Sequence, residues 1–158
     1  MYYNKIEPEI YEPGGKKYIR IRNSETQEDV IIDMEMARYR RISMGFLNRL
    51  RISPRFVKHI TLTQKVESYK PGLLNPFFSA VRKYYGDVDY IWTVEVQEER
   101  AEKYGDRVLH WHIMLGFDYG IEFGKEDILR LQRYWKYGNL DVKPVRKPNL
   151  GYLMKYIT

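Results

Sequence analysis

Three alternating segments, FVKHITLTQ (56–64), VDYIWTVEVQ (88–97) and VLHWHIMLGF (108–117), constrain the fold more than anything else in this chain. Side chains along a strand point to opposite faces in turn, so each segment reads as a strand with one apolar face. Between the first two, after Pro71-Gly72, the stretch LLNPFFSAVRKYYG sets Leu74, Phe77, Phe78 and Val81 at helical spacing and stops at Gly86. After the third, KEDILRLQRYWKYG (125–138) is an amphipathic helix through Ile128, Leu131 and Trp135, with Gly138 expected as its C-cap. NLDVKPVRK (139–147) is the fourth strand, and Pro144 suggests an edge, because proline has no N–H for a ladder. The order β-α-β-β-α-β is the split-βαβ, ferredoxin-like or RRM-like one: an α+β, antiparallel sheet with helices on one face. The other face is then available to a ligand, which the fold alone does not name.

The flanks are less regular. Residues 1–17, with Pro8, Pro13, Gly14 and Gly15, read as an irregular lead-in, and KKYIRIRN as a short strand ended by Asn23 and Ser24. Residues 25–51 are expected to be helical, broken near Ser43-Met44-Gly45 and closed by Pro54. The charged stretch 98–107 is a long connection, and Pro148-Asn149 opens a last helix, LGYLMKYIT, to the chain end. The length suits one compact domain. Within it, residues 1–55 form an N-terminal extension with an Arg-rich helix, expected to pack on the main domain at 56–158.

Composition removes whole classes of chemistry. With no cysteine, disulfide scaffolds, thiolate zinc sites and cysteine nucleophiles are excluded. No apolar run approaches the roughly 18 residues of a membrane span, and the start lacks a signal-peptide core. The net charge of +6 is modest, but its placement is not even. From Met36 to Val66 there is no acidic residue, while Arg38, Arg40, Arg41, Arg49, Arg51, Arg55, Lys58 and Lys65 are all positive. A second basic set, Lys143, Arg146, Lys147 and Lys155, follows near the end. Such blocks are commonly solvated faces. Here Tyr39, Phe46, Phe56 and Tyr69 interleave with the first block, as phosphate contact plus base stacking requires.

The chemistry is concentrated in two short motifs. In Leu109-His110-Trp111-His112-Ile113-Met114-Leu115, alternation sends His110 and His112 to one face, where two imidazoles can bind one metal ion. On the preceding strand Thr93, Glu95 and Gln97 share one face, so a hairpin would bring Glu95 to the histidines on the open side. Two imidazoles and a carboxylate suit Mg²⁺ or Mn²⁺, with zinc as another option. Two idle histidines on a half-exposed face are the plainer alternative. Gln97, Glu98 or His59 could also serve as third ligand, although His59 is more simply a histidine hydrogen-bonded within the sheet. Thr61 and Thr63 share the face of His59, and small hydroxyl residues there leave room for a phosphate and can donate to it. In the last helix, Tyr152 and Tyr156 are four apart, with Lys155 on the adjoining face. A tyrosine nucleophile needs a nearby cation, because its ordinary pKa is about 10. Two tyrosines half-buried on an amphipathic helix are the bland reading.

Strand H-I-T-L-T (59–63), then H-W-H with apolar residues (110–115), then Y-L-M-K-Y (152–156), in that order, resembles the three motifs of HUH-superfamily rolling-circle replication initiators, the Rep proteins. The paired tyrosines around the lysine are similar to the two-tyrosine branch known from phage and plasmid initiators. The resemblance covers about residues 56–158 and implies the HUH endonuclease fold. It implies a metal-dependent nuclease that nicks and joins single-stranded DNA at a replication origin, with a hairpin as one form of that site, through a 5′-phosphotyrosine link. It makes His110, His112 and Glu95 the ligands of Mg²⁺ or Mn²⁺, Tyr152 the nucleophile, Tyr156 the second nucleophile, and Lys155 the assisting lysine. Thr61, Thr63, Arg49, Arg51, Arg55, Lys58, Lys143, Arg146 and Lys147 are the expected DNA contacts. The implied setting is the cytoplasm of a prokaryotic host, encoded by a plasmid or virus, with host replication proteins or a helicase as partners and no membrane. A chain truncated soon after Thr158 would explain why Tyr156 lacks a lysine three residues on. A transposase or relaxase relative is the alternative within the superfamily. Outside it stands a non-enzymatic single-stranded DNA- or RNA-binding module of RRM type, which would want aromatics on the open face.

Overall fold

The structure is a computed structural model that describes residues 9–11, 17–22, 29–34, 36–65, 68–70, 72–96, 103 and 108–155. Its elements are β1 (Glu9–Tyr11), β2 (Lys17–Arg22), β3 (Asp29–Met34), α1 (Met36–Ile52), β4 (Phe56–Lys65), α2 (Leu74–Tyr85), β5 (Asp89–Val96), β6 (Val108–Phe117), α3 (Lys125–Tyr134), β7 (Leu140–Val145) and α4 (Leu150–Met154).

Strands β4 to β7 form one antiparallel sheet in the order β5-β6-β4-β7, with β6 and β4 in the middle. This is the split-βαβ arrangement, and the chain is α+β. Pro144 lies on β7, which is an edge strand as its missing N–H requires. One sheet face carries Ile60, Leu62, Val94, Leu109, Trp111, Ile113, Leu115 and Phe117, which pack with Leu74, Phe77, Phe78 and Val81 of α2 and Leu131 of α3. Burying each such side chain contributes about 1.5–3 kcal/mol, so this layer is the main source of stability. Gly86 ends α2 at φ 77°, a left-handed value that glycine adopts without a Cβ penalty, and its N–H donates to the Arg82 carbonyl at 2.9 Å.

The opposite face is covered at one end. Phe46 of α1 and Leu153 of α4 pack on Val57, Met114 and Val145, which alternate onto this face from β4, β6 and β7. The polar rest of the face, from Thr61 to Glu95, is where the candidate site lies.

Several expectations change in the N-terminal third. Residues 29–34 are a strand rather than the start of a helix, because Val30, Ile31 and Ile32 are β-branched and find a partner in β2. The lead-in contributes β1, which pairs with β2, so a second, three-stranded antiparallel sheet (β1-β2-β3) precedes α1. Helix α1 runs through Ser43-Met44-Gly45 without a break, since Phe46 anchors that turn in the core at 0% exposure. Gly138 is not a helix cap: α3 ends at Tyr134, with extended Trp135 as its cap. Trp92, expected in the core with Trp111 and Trp135, is 39% exposed, because it lies on edge strand β5. Most of the 98–107 connection lies outside the described residues.

Candidate metal centre and tyrosine

The β5–β6 and β4–β6 ladders fix the site. Glu95 pairs with His110, Thr93 and Thr61 flank His112, and Thr63 lies across from His110. Equal alternation in three adjacent strands therefore puts all six residues on one face. Glu95 leans between the two imidazoles. Its Oε1 is 2.8 Å from His112 Nε2 and 3.9 Å from His110 Nδ1. One ligand atom from each of Glu95, His110 and His112 falls within 4.8 Å of the others, so the group could hold a metal ion. The donor set fits a divalent cation with open positions. A second observation agrees: Thr93 Oγ1, opposite His112, is buried with no hydrogen-bond partner among the described residues. The hydrogen bond from His112 holds the Glu95 carboxyl below its ordinary value against the opposing effect of burial. It is thus an anionic ligand at neutral pH. Gln97 and Glu98, the alternative ligands, lie outside the described residues.

His59 behaves differently from a ligand. It is 3% exposed, and its Nε2 lies 2.9 Å from His112 Nδ1, the nitrogen that faces away from Glu95. On its other side, His59 Nδ1 lies 3.0 Å from the Tyr152 hydroxyl. Burial, followed by the nearby His112 and Lys143, lowers the His59 pKa to about 4, so it is a neutral imidazole at pH 7. A continuous hydrogen-bonded line, Tyr152–His59–His112–Glu95, therefore joins α4 to the centre of the sheet.

Local structure aims Tyr152 into this line. Asn149 precedes α4 with an extended backbone, and its Oδ1 accepts the Tyr152 N–H at 2.8 Å. That cap starts the helix at the expected Asn149. Leu153, next in sequence, is buried against Phe46 and Val57, which fixes the rotation of the short helix. Lys155 follows at the end of α4 and is exposed, while Tyr156 lies outside the described residues.

The basic residues divide. Lys143 pairs with His59 across β4–β7 and so shares the site face. Arg51, Arg146 and Lys147 are exposed. Arg49 instead donates twice to Asp89, at 2.5 and 2.9 Å, and Arg55 binds the carbonyl and carboxylate of Asp87. Both tie the end of α1 and the loop after it to the start of β5. Lys58 alternates to the other sheet face, where its ammonium sits over the Phe123 ring. Sequence reasoning did not anticipate these acidic partners, because Asp87 and Asp89 lie far from the arginines along the chain. Among the described residues no helix is long and apolar enough to cross a membrane.

Comparison with known proteins adds the family. Among solved structures, the crystal structure of the hypothetical protein ORF119 from Sulfolobus islandicus rod-shaped virus 1 aligns at 14% identity and a TM-score of 0.44, covering 77% of this chain and 90% of that one. No curated protein matches the chain. The family model for the replication-associated protein ORF2 matches residues 57–158, a span that begins in β4 and includes His59, Glu95, both histidines of β6 and Tyr152. The chain belongs to this family of replication initiators, the replication-associated proteins of the ORF2 type.

Proposed function

We propose that the protein nicks and rejoins single-stranded DNA at a replication origin, in the manner of a two-tyrosine HUH initiator. The observation that carries this reading is the position of the Tyr152 hydroxyl, which a buried histidine connects to the Glu95–His110–His112 group. A nucleophile and an electrophile-polarising centre joined through one side chain are what phosphodiester transesterification needs.

In this reading Tyr152 Oη attacks the scissile phosphorus. A bond forms from Oη to phosphorus, the bond from phosphorus to the 3′ oxygen breaks, and that oxygen leaves as a 3′-OH after taking a proton. The 5′-phosphate stays on Tyr152. Attack by a 3′-OH on the phosphotyrosine reverses the step and rejoins the strand. A divalent cation such as Mg²⁺ or Mn²⁺, held by Glu95, His110 and His112, supplies Lewis-acid polarisation of the phosphate when bound. Thr61, Thr63 and Thr93 sit beside that centre and offer small hydroxyl donors. Lys155 at the end of the same helix places a positive charge near the phosphate, and Lys143, Arg51, Arg146 and Lys147 supply contacts to the strand. Tyr156 is the second nucleophile, which takes the next transesterification.

The test is incubation with a labelled single-stranded origin oligonucleotide and Mn²⁺, followed by a denaturing gel and peptide mapping. A covalent adduct on the peptide that contains Tyr152 is expected. An adduct that forms at wild-type rate in a Tyr152→Phe, Tyr156→Phe double variant would sink the mechanism.

A further inference from the structure

Hydrogen-bond direction along the line from Glu95 to Tyr152 is set by chemistry at its far end. A carboxylate can only accept, so with Glu95 2.8 Å away the Nε2 of a neutral His112 must carry the proton. Its Nδ1 is then an acceptor. His59 Nε2, 2.9 Å from it, must donate, which leaves His59 Nδ1 as an acceptor as well. The Tyr152 hydroxyl, 3.0 Å away, therefore donates to His59 and has its proton pinned there.

A cation on His112 Nε2 reverses every one of these assignments. The metal needs the lone pair of Nε2, so the His112 proton resides on Nδ1 and is donated to His59 Nε2. His59 then carries its single proton on Nδ1 and donates it to the Tyr152 oxygen. No proton is gained or lost by either ring: each only exchanges one tautomer for the other. The Tyr152 O–H turns out of the line, and its oxygen receives a hydrogen bond where negative charge must develop.

We propose that His59 is a positioning residue that couples cation binding to the tyrosine by reversing its tautomer. Without the cation it holds Tyr152 as a donor, and with the cation it presents an N–H to the Tyr152 oxygen. This deepens the nuclease reading and rests on Tyr152 being the nucleophile. The geometry that supports it is specific. His59 is buried, it bridges residues on β6 and α4 with one nitrogen each, and it lies outside the Glu95–His110–His112 group itself. A histidine that only filled space in the sheet would need no second ring at its Nε2.

Nitrogen NMR of the whole chain labelled with ¹⁵N-histidine tests the idea without DNA, using Mg²⁺ alone as probe. The expected result is that the pyridine-type nitrogen of His59 is Nδ1 before Mg²⁺ and Nε2 after it. The same exchange is expected in Tyr152→Phe, because direction is imposed from His112. If His59 keeps one tautomer while His110 and His112 respond to Mg²⁺, the coupling is overturned. An exchange that disappears in Tyr152→Phe also overturns it. His59→Gln adds a kinetic readout: a roughly 10- to 100-fold fall in kcat at unchanged KM for the oligonucleotide. An adduct on Tyr152 with an unresponsive His59 leaves the nuclease reading and removes the coupling. A responsive His59 with wild-type adduct yield in Tyr152→Phe does the opposite: the nucleophile falls and the tautomer reversal stands.

Discussion

The phenol oxygen of Tyr152 and Nδ1 of His59 lie 3.0 Å apart, although 93 positions separate them in the chain. One is on a five-residue helix and the other on a central strand, so the contact exists only because Leu153 docks α4 on Val57. Tyr152→Phe keeps the ring and loses this bond, which contributes about 0.5–1.5 kcal/mol. The variant is expected to fold with a small drop in urea midpoint and to form no adduct through this helix position. Equilibrium unfolding and a denaturing gel check the two halves separately.

The Glu95–His110–His112 group predicts metal-linked stability. A ligand that binds only the folded chain stabilises it by about 2.7 kcal/mol at a hundredfold excess over Kd. Mn²⁺ is therefore expected to raise the wild-type Tm by several degrees, and chelation to reverse the rise. A His110→Ala, His112→Ala double variant should show no shift. Differential scanning fluorimetry reads both.

Asp127 predicts an acid-sensitive step far from the site. Its carboxylate accepts from Tyr85 at 2.6 Å, Arg130 at 2.8 Å and the Gly124 N–H at 2.8 Å, fastening the start of α3 to α2. Burial pushes this carboxyl up, but the Tyr85 and Gly124 hydrogen bonds and the Arg130 charge together hold it below the ordinary 3.8. A depressed carboxyl contributes stability above its unfolded value, and that contribution is lost as pH falls through the folded one. Asp127→Asn should thus cost about 1.5–3 kcal/mol at pH 7, with the gap to wild type closing below pH 3.8. Urea melts at pH 7 and pH 3 measure it. Burial, then the Asp127 bond, raises the Tyr85 phenol above its ordinary 10, so its contribution persists below pH 10 and is lost in stronger alkali.

Gly138 faces the main chain of β4. A Cβ there would sit 2.0 Å from the Thr63 carbonyl oxygen, which also accepts from Trp135 Nε1 at 3.1 Å. Neither backbone nor a core tryptophan yields easily, so Gly138→Ala is expected to destabilise by about 1–3 kcal/mol. Gly124→Ala, with nothing within 4 Å of the new methyl, is the matched control and should stay near wild type. Thermal melts compare them.

The basic residues are expected to separate in a salt titration of oligonucleotide binding. Each phosphate contact removed from a single strand lowers the slope of log K against log salt by about 0.7. Arg51→Ala and Lys147→Ala should each lower the slope. Lys58→Ala should leave it unchanged, because that ammonium lies over Phe123 on the helix-covered face.

Much of this was legible in the chain itself, for reasons of local geometry. Alternation in 56–64, 88–97 and 108–117 defines strands whatever surrounds them, and the β-α-β-β-α-β order leaves few ways to pair them. The same alternation put Glu95, His110 and His112 on one face before any pairing was known. Where β-branched residues ran into a helical pattern, at 29–34, local reading failed, because only the partner strand β2 decides between helix and strand there.

What only the tertiary structure decided depends on groups distant in sequence and close in space. Trp92 became half-exposed through edge placement, and Arg49 and Arg55 were taken up by Asp89 and Asp87. His59, visible in the sequence as one more residue on the right face, gained its place between Tyr152 and His112 from the docking of α4. Periodicity can assign a side chain to a face, because that is a property of its own strand. It cannot say which two nitrogen partners meet a buried ring, because that is settled by how helix and sheet pack.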